Sequence, residues 1–365
     1  MARNRVIYQS EALFINKDAS LAGGYKQLER VQSANYSFSI NRQDVNQYGQ
    51  LGKLDSIQLD APTVNADCSY YITDGFTERA MGFFVQTSAN AYATGGFVSG
   101  HLADGSGRNL IILTTPEGTD ADLPTRATGS TDSAIGIGNC YLSDYSVEMS
   151  VGSIPTASVS FDALNISSNQ VGAHGAGFDS PAIDPVNGTA LTNKVELPNA
   201  STGQGNTTAL RPGDITINIS EFDGTPLADI GAGVSGAHIQ SASLSVPMSR
   251  STLERLGSRS AYARSVDFPI QASLSVSAIL NEVETSNLAD IIDDEVEKTV
   301  TLTLKKDDGA TGIIYTLKGV SFDGESISSS IGSNKSVDLS FSTSVGGPND
   351  TSHGVFMSGS SNTTV

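Results

Sequence analysis

The sequence has no tryptophan, only two cysteines and only four histidines among its 365 residues. A disulfide scaffold needs more cysteines in a shorter chain, so we expect Cys68 and Cys140 to be partly buried free thiols in a chain that folds in a reducing cytoplasm. The histidines are His101, His174, His238 and His353. None of them has a cysteine or a second histidine at metal-ligand spacing, so no metal site is predicted.

Positive charge is also scarce. The chain has 21 Lys and Arg residues against 39 Asp and Glu residues, which gives a net charge of −18. A protein that grips DNA or RNA carries a basic stripe, which this sequence lacks, and its acidity predicts repulsion from nucleic acid and from anionic membranes. No apolar run reaches the roughly 18 residues of a spanning helix, and the start, MARNRVIYQSEALF, lacks the apolar segment of a secretory signal. We therefore expect no membrane insertion.

The motifs of common enzyme classes are missing as well. There is no Gly-x-Ser-x-Gly nucleophile motif and no phosphate loop that ends in Gly-Lys-Ser/Thr. The stretches GIGNCY and GAGVSGAH lack the helix and lysine that phosphate binding needs, and DGTPLAD and KKDDGATG lack the spaced ligands of a calcium loop. The sequence therefore predicts a protein that is not an enzyme and that takes no cofactor.

What the sequence does contain is strict alternation of apolar and polar residues, the pattern of half-buried strands in antiparallel sheets. It occurs in ANYSFSI, TVNADCSYYI, ASVSFDAL, ASLSVSAIL, TVTLTLK and SVDLSFSTSV. Helical signals are short: TDGFTERAMGFF has Asp74 as a candidate cap, and ETSNLADIID has Ser286. The predicted fold class is all-β with one or two short helices.

One stretch of sequence occurs twice. VQSANYSFSINRQDVNQYG begins at Val31, and IQSASLSVPMSRSTLERLG begins at Ile239, a shift of 208 residues. Further along, VGSIPTASVSF from Val151 matches IGSNKSVDLSF from Ile331, a shift of 180. The two blocks come in the same order in each half, so we predict two tandem, homologous antiparallel β-sandwich or β-barrel domains joined by a long loop.

The repeat also sets the predicted boundaries. The segments are an N-terminal arm at 1–24, a first domain at 25–166 with a loop insertion near 87–133, an interdomain loop or arm at 167–210, a second domain at 211–346 and a C-terminal arm at 347–365. The loop segments are rich in Gly, Asn and Pro and poor in apolar pattern, which is typical of connecting arms.

Two pairs of residues occupy equivalent positions in the repeat: Arg42 with Arg250, and Gly49 with Gly257. Each glycine closes either a single helical turn or a bulged loop. For the arginines two interpretations stay open. They satisfy a carbonyl or carboxylate beside the turn, or they form an inter-subunit salt bridge repeated around a ring.

A duplicated, acidic β chain with long arms suggests an assembly protein. Unpaired edge strands are a liability in a monomer, but in a ring each sheet continues into the next and no edge remains. Head-to-tail contacts that close give a cyclic oligomer. Two equivalent domains per chain would let three chains make a pseudo-sixfold ring, with a hexamer of chains as the fallback.

The stretch from Val31 to Val85, with TALRPGDITINI, the segment from Ile239 to Leu280, SSSIGSNKSVDLSFST and GGPNDTSHGVFMSG, resembles the tail tube (major tail) proteins of long-tailed bacteriophages. The resemblance implies a β-sandwich whose inner sheet joins neighbours into a channel that guides DNA during ejection. It also implies stacking of rings through loops and arms. The implied partners are further copies, the tape measure, terminator and baseplate proteins, and DNA that passes without sequence-specific contact.

The resemblance further implies a virion protein of the phage tail that is made and assembled in the host bacterial cytoplasm. A channel lined by Asp, Glu, Ser and Thr would let DNA slide, because it repels phosphate. Two alternatives stay open. One is another ring protein of a phage tail or baseplate. The other is a carbohydrate-binding or adhesin-like β-sandwich, for which Tyr92 and Phe97 are the candidate exposed aromatic residues.

Overall fold

The structure is a computed structural model, and it describes sixteen ranges of the chain. They are 11–16, 24–87, 95–103, 107–116, 120–121, 132–170, 178–184, 189–191, 194–195, 209–210, 215–218, 238–257, 260–279, 297–306, 309–329 and 334–360. The described residues are mostly β-strands in antiparallel sheets, with two short helices, α1 (Phe76–Met81) and α2 (Ser99–Ala103). The predicted all-β fold class is confirmed.

The strands divide between the two halves of the chain. Those of the N-terminal half are β1 (Glu11–Asn16), β2 (Lys26–Gln27), β3 (Val31–Ser39), β4 (Arg42–Val45), β5 (Asp55–Gln58), β6 (Thr63–Tyr71), β7 (Val85–Gln86), β8 (Arg108–Thr114), β9 (Ser133–Ser150), β10 (Thr156–Ala163) and β11 (Asn165–Gln170). Four short strands follow: β12 (Phe178–Asp179), β13 (Ile183–Asp184), β14 (Thr189–Ala190) and β15 (Lys194–Val195). Those of the C-terminal half are β16 (Ile215–Asn218), β17 (His238–Pro247), β18 (Arg250–Leu253), β19 (Ala263–Val266), β20 (Ile270–Ile279), β21 (Lys298–Lys305), β22 (Thr311–Ser328), β23 (Ser336–Val345) and β24 (Gly354–Gly359).

Each half contains the same arrangement of strands. The order β3-β6-β10-β9 in the first half corresponds to β17-β20-β23-β22 in the second. The order β1-β8-β9-β11 likewise corresponds to β16-β21-β22-β24, and the hairpin β4–β5 corresponds to β18–β19. We call β1 to β11 the first repeat and β16 to β24 the second repeat. Each repeat therefore has two groups of four strands, given by the two strand orders above. The long strand β9 belongs to both groups of the first repeat, and β22 belongs to both groups of the second, so these strands connect the two groups.

The register of pairing repeats as well. Ala34 lies opposite Cys68 in the first repeat, and Ala242 lies opposite Val276 in the second, both at the shift of 208. The bulge that follows Val31 in β3 recurs after Ile239 in β17. The duplication therefore extends to irregularities that set how each strand bends.

The long strands share a second irregularity. Ser143 of β9 and Asp323 of β22 are the extra residues of two equivalent bulges, 180 residues apart. Asn139 and Gly319, also 180 apart, both have left-handed backbones, with φ of 53° and 62°. The same kink thus occurs in β9 and β22 where each strand passes from one group to the other.

Some of the predicted arms and loops form strands. Residues 11–16 of the predicted N-terminal arm form β1, residues 354–359 of the predicted C-terminal arm form β24, and residues 108–114 of the predicted insertion form β8. All three strands are buried along nearly their whole length. Their apolar residues run consecutively, as in ALFI, LIIL and VFM, so they lack the alternation of a half-buried strand.

The predicted interdomain segment 167–210 contains the end of β11 and the strands β12 to β15. Its described part packs on the first repeat: the side-chain amide of Asn165 donates to the carbonyl of Pro181 at 2.8 Å. Gly138 lies so close to that carbonyl that a Cβ atom there would clash with it. The predicted helix in ETSNLADIID lies outside the described residues.

The core lies between the two groups of strands in each repeat and continues from one repeat into the other. The hydroxyls of Tyr145 and Tyr315, one from each repeat, are 2.9 Å apart. Nearby, Tyr70 donates a hydrogen bond of 3.0 Å to Glu78 on α1. Burial raises the pKa of the Glu78 carboxyl to about 7. The repeats therefore share one core that includes a small buried polar cluster.

Candidate assembly interface

The two repeats join edge to edge inside the chain. Strand β9, the last of the first four-stranded group, pairs antiparallel with β17, the first of the second. The pairing runs from Ser150 opposite Ser241 to Asp144 opposite Pro247. We call residues 144–150 of β9 together with residues 241–247 of β17 the internal joint. It makes eight strands continuous across both repeats.

Arg250, one of the two arginines at equivalent positions of the repeat, contacts both repeats beside this internal joint. Its guanidinium donates to the carbonyls of His101 at 3.0 Å and Leu142 at 3.4 Å in the first repeat, and of Arg264 at 3.4 Å in the second. It also lies over the ring of Tyr141, 5.4 Å from the ring centroid. Arg250 therefore satisfies carbonyl groups of both repeats beside the internal joint.

Arg42, its counterpart, lies at the outer edge of the first repeat. It begins β4 and is exposed. Its backbone pairs with Gln58 of β5, and no side-chain hydrogen bond or ion pair joins it to another described residue. The structure thus places the two predicted arginines in different surroundings, one at a formed joint and one at an open edge.

Strand β3 forms that open edge. On one side it pairs with β6, and on the other it has no partner strand among the described residues. Tyr36 and Phe38 of β3, and Ile40 directly after it, are 40%, 56% and 39% exposed. Their counterparts are Leu244 and Val246 of β17 and Met248 directly after it, and all three are 0% exposed. Because the two strands otherwise share register and position, the difference comes from the neighbour that β9 supplies to β17.

A matching edge lies at the other end of the eight strands. Residues 321–328 of β22 pair with β23 on one side, and no described strand pairs with the other. They correspond to residues 141–148 of β9, most of which pair with β17. Ile327 is exposed at this edge, whereas its counterpart Val147 is fully buried at the internal joint. We call residues 31–39 the β3 edge and residues 321–328 the β22 edge.

One face of the eight strands is polar, and the charged side chains that the strands themselves place on it are carboxylates; the hairpin residues Arg250 and Arg264 lie over Tyr141 at one end of it. Serines meet across neighbouring strands on this face, for example Ser33 and Ser69, whose hydroxyls are 2.6 Å apart. The eight strands contain no Lys or Arg except Lys318, which precedes the β22 edge. The carboxylates on this face are Asp67, Asp144, Glu148, Asp162, Asp323 and Asp338. Away from the end where Arg250 and Arg264 lie over Tyr141, the face therefore repels phosphate.

Asp144, at one end of the internal joint, is partly buried, and this desolvation raises the pKa of its carboxyl. Asp67, farther along the face, accepts a hydrogen bond of 2.8 Å from the side-chain amide of Asn35. Such cross-strand bonds hold polar side chains against the sheet.

Two hairpins project from the repeats. The loop between β4 and β5 exposes Tyr48 and Leu51 completely, and the loop between β18 and β19 does the same for Leu256. Fully exposed apolar residues at hairpin tips are candidates for contact with another molecule.

The predicted glycines lie in these two loops. Gly49 and Gly257 have φ of 89° and 87°, a left-handed backbone in which other residues are strained. No atom lies near the place of a Cβ at either residue, so backbone conformation rather than crowding requires glycine. Of the two predicted alternatives, a helical turn or a loop, the structure shows loops of a hairpin.

Sequence reasoning missed the residues beside the internal joint that contact Arg250. Tyr141 and Leu142 receive Arg250 but belong to no motif, and their counterparts Ser321 and Phe322 are dissimilar. The available signal was the repeat itself, since the aliphatic residues Leu244 and Val246 align with the aromatic residues Tyr36 and Phe38.

The candidate sites of other functions gain no support. Phe97, proposed for a carbohydrate site, is fully buried and stacks on Phe83 with ring centroids 4.3 Å apart, and Tyr92 lies outside the described residues. Cys68 and Cys140 are free and buried, and burial raises the pKa of both thiols. Within the described ranges, no three His, Cys, Asp or Glu side chains are grouped to hold a metal ion.

Comparison with known proteins gives only partial likenesses. No family model matches the chain, and no curated protein matches it. One similar solved structure is the tail of an empty gene transfer agent particle, determined by helical refinement with C6 symmetry. It is 18% identical, the match covers 38% of this chain and 96% of that chain, and the TM-score is 0.27. A second is the virion of a native gene transfer agent particle, at 16% identity, 41% and 98% coverage and a TM-score of 0.24.

In the part of the chain that the structure describes, neither helix is long and apolar enough to cross a membrane.

Proposed function

We propose that this protein is a structural subunit that polymerises through its sheet edges into rings, and that stacked rings form the tail tube of a phage-like particle. The observation that carries the proposal is the internal joint. The chain already pairs the last strand of one repeat with the first strand of the next, and it leaves the same two edges open at its ends. The β3 edge of one copy therefore fits the β22 edge of another.

Three copies close such a ring. The joints between copies are head to tail, so a ring of six repeats closes when each repeat is rotated by about 60° from the one before it, with no translation along the ring axis. With eight strands from each of three chains, the inner wall is a barrel of about 24 strands. At a strand spacing of ~4.8 Å and a tilt of ~40°, its backbone diameter is roughly 45–50 Å, which leaves an open channel.

The polar face lines this channel in the proposed ring, because the opposite face of the same strands packs on the core. A wall of serines and carboxylates lets DNA pass without holding it, since Lys and Arg contacts are what bind phosphate. This gives the acidic face a role that a monomer would not need.

The hairpins connect one ring to the next. Their apolar tips lie beyond the ring-forming strands, so they remain available after the ring closes. Stacked rings give a tube, and the resemblance to tail tube proteins supplies its setting: a virion tail with tape measure, terminator and baseplate proteins as partners.

The test is to purify the full chain and measure its mass by mass photometry and its shape by negative-stain electron microscopy over a series of concentrations and salt. We expect three-copy rings and hollow tubes. Phe38→Asp places a negative charge opposite Glu325 in the proposed joint, because the register transferred from Val246 and Tyr145 pairs these two positions, and it does not touch the core of the free chain. It should raise the concentration for half-assembly at least about tenfold, since burying a phenylalanine contributes ~1.5–3 kcal/mol.

Val151→Asp is the matched control, because Val151 is an exposed apolar residue in the turn between β9 and β10. This variant should assemble like the wild type. A wild-type chain that stays monomeric throughout the series, or rings that Phe38→Asp leaves unchanged, would contradict the proposal.

A further inference from the structure

The β3 edge and the β22 edge differ in charge from the internal joint, which is formed by the equivalent residues of the two repeats. The register of the internal joint, carried over by the shifts of 208 and 180, places Tyr36 opposite Ile327 and Ser37 opposite Ser326 when two copies meet. The same mapping puts Arg42 where Arg250 lies and puts residues 321–323 where residues 141–143 lie. The surroundings of Arg42 in a ring can therefore be worked out from those of Arg250.

At the internal joint, arginine meets an aromatic ring. Tyr141 pairs with Asp162, whose neighbours Phe161 and Ala163 are buried, so the tyrosine lies on the polar side of the sheet. Arg250 and Arg264 both lie over it, each 5.4 Å from the ring centroid. The internal joint thus places two cations over one aromatic ring.

At the β22 edge the aromatic ring is missing and a carboxylate is present. Ser321 stands in place of Tyr141, and the bulge residue is Asp323 in place of Ser143. The hydroxyl of Ser342 donates to the Asp323 carboxylate at 3.0 Å, and Ser342 lies directly opposite Ser321. The carboxylate is therefore held on the polar side, beside the place that the tyrosine ring would fill.

We propose that Arg42 of one copy forms an ion pair with Asp323 of the next copy in the ring. This inference rests on the proposed function, because it needs the β3 and β22 edges to pair. The bulge fixes Asp323 at the point where the strand bends, and Arg42 follows the last paired residue of β3 by three positions. Glu325, in the position of Tyr145, adds a second negative charge to this edge on the core-facing side.

The ion pair makes the joint between copies electrostatically different from the joint within a chain. Both arginines follow the same strand, but one meets a tyrosine and the other an aspartate. Opposite charges across an interface favour the correct partner and orientation, and like charges placed there oppose it. The two interpretations of the repeated arginine are therefore both used, one in each repeat.

A charge-swap series tests the proposal. The full chain is compared with Arg42→Asp, Asp323→Arg and the double variant, with ring formation followed by mass photometry. We expect each single variant to raise the concentration for half-assembly by about tenfold or more, and the double variant to recover to within about threefold of the wild type. Arg42 and Asp323 are exposed in the free chain, so the fold should not change, which circular dichroism checks.

The controls carry the same charge changes elsewhere. Lys335→Asp lies outside both edges, and Asp338→Arg lies on the polar face one strand further in. Both should assemble within about twofold of the wild type, because neither residue faces the next copy. If all of these reversals weaken assembly equally, net charge rather than the ion pair is responsible, and the inference is wrong.

Mixing the two single variants adds a test of ring size. In alternating order every joint pairs opposite charges, but a ring with an odd number of chains cannot alternate and keeps one mismatched joint. We expect the mixture to give short open chains rather than three-copy rings. Restored even-membered rings would support the ion pair and overturn the three-copy ring.

The outcomes separate the two proposals. Rings of the wild type that neither single variant affects leave the proposed function standing and overturn the ion pair. A double variant no better than the single variants overturns it too. A wild type without rings overturns both.

Discussion

At the scale of single residues, equivalent positions of the two repeats carry different residue types according to whether a neighbouring strand covers them. Leu244 and Val246 are fully buried aliphatic residues at the internal joint, whereas Tyr36 and Phe38 occupy the same positions at an open edge. Aromatic residues bring large contact area at low entropic cost and are enriched at interfaces between molecules. The substitution pattern therefore fits a joint made after folding.

Arg250 and Arg42 give a matched pair for measuring what the internal joint contributes to stability. Arg250→Ala removes three hydrogen bonds and the contact with the Tyr141 ring, so we expect the free energy of unfolding to fall by about 1–3 kcal/mol. Arg42→Ala should change it by less than about 0.5 kcal/mol, because an exposed side chain stabilises the free chain little. Denaturant unfolding below the assembly concentration makes the comparison. Equal effects would show that Arg250 does not fasten the repeats.

The sequence predicted that these arginines occupy equivalent positions, but not that their surroundings differ. Equivalence at a shift of 208 follows from the residues alone. What each guanidinium contacts depends on β9, which lies about a hundred residues away from Arg250 in sequence and has no recognisable counterpart motif in β22. Pairing between distant strands is set by the fold, so local pattern carries no information on it.

At the scale of strands and hairpins, alternation of apolar and polar residues predicted strands correctly where one face of the strand is buried. It failed to predict strands where both faces are buried. It identified β3, β6, β10, β20, β21 and β23, all of which are strands in the structure. It missed β1, β8 and β24, which are buried on both faces and read as continuous apolar runs. It also missed α2, which has five residues and no capping residue of the common type.

The hairpins give a prediction at this scale. Replacing Tyr48 and Leu51 by Ser removes the exposed apolar tip of the first hairpin but leaves both ring edges intact. We expect single rings of normal mass and few or no tubes, because the tips are proposed to contact the next ring. Electron microscopy counts tubes, and mass photometry counts rings. Tubes of normal length would show that other segments stack the rings.

At the scale of the whole molecule, the carboxylates of the polar face lead to a prediction about DNA binding. Glu148→Lys with Asp338→Lys reverses two exposed charges per chain on the polar face. Tubes of this variant should bind short duplex DNA with an affinity that falls steeply as salt rises, whereas wild-type tubes should not bind. Fluorescence anisotropy at several salt concentrations measures both.

The control for this prediction has the same net charge on strands outside the eight. Glu11→Lys with Glu297→Lys alters β1 and the residue before β21, which lie in the other groups of their repeats. Little DNA binding is expected from it. Equal binding by the two double variants would mean that net charge, rather than the polar face, decides whether DNA is held.

The internal joint has a consequence for how assembly responds to subunit supply. Two strands in one chain meet at a high effective concentration, so their pairing does not depend on how much protein is present. In a ring of six repeats, three joints are then completed when the chains fold, and only three remain to form between molecules. The yield of rings should rise with the third power of chain concentration rather than the sixth, so a duplicated chain can close rings at levels where single-repeat chains would remain apart.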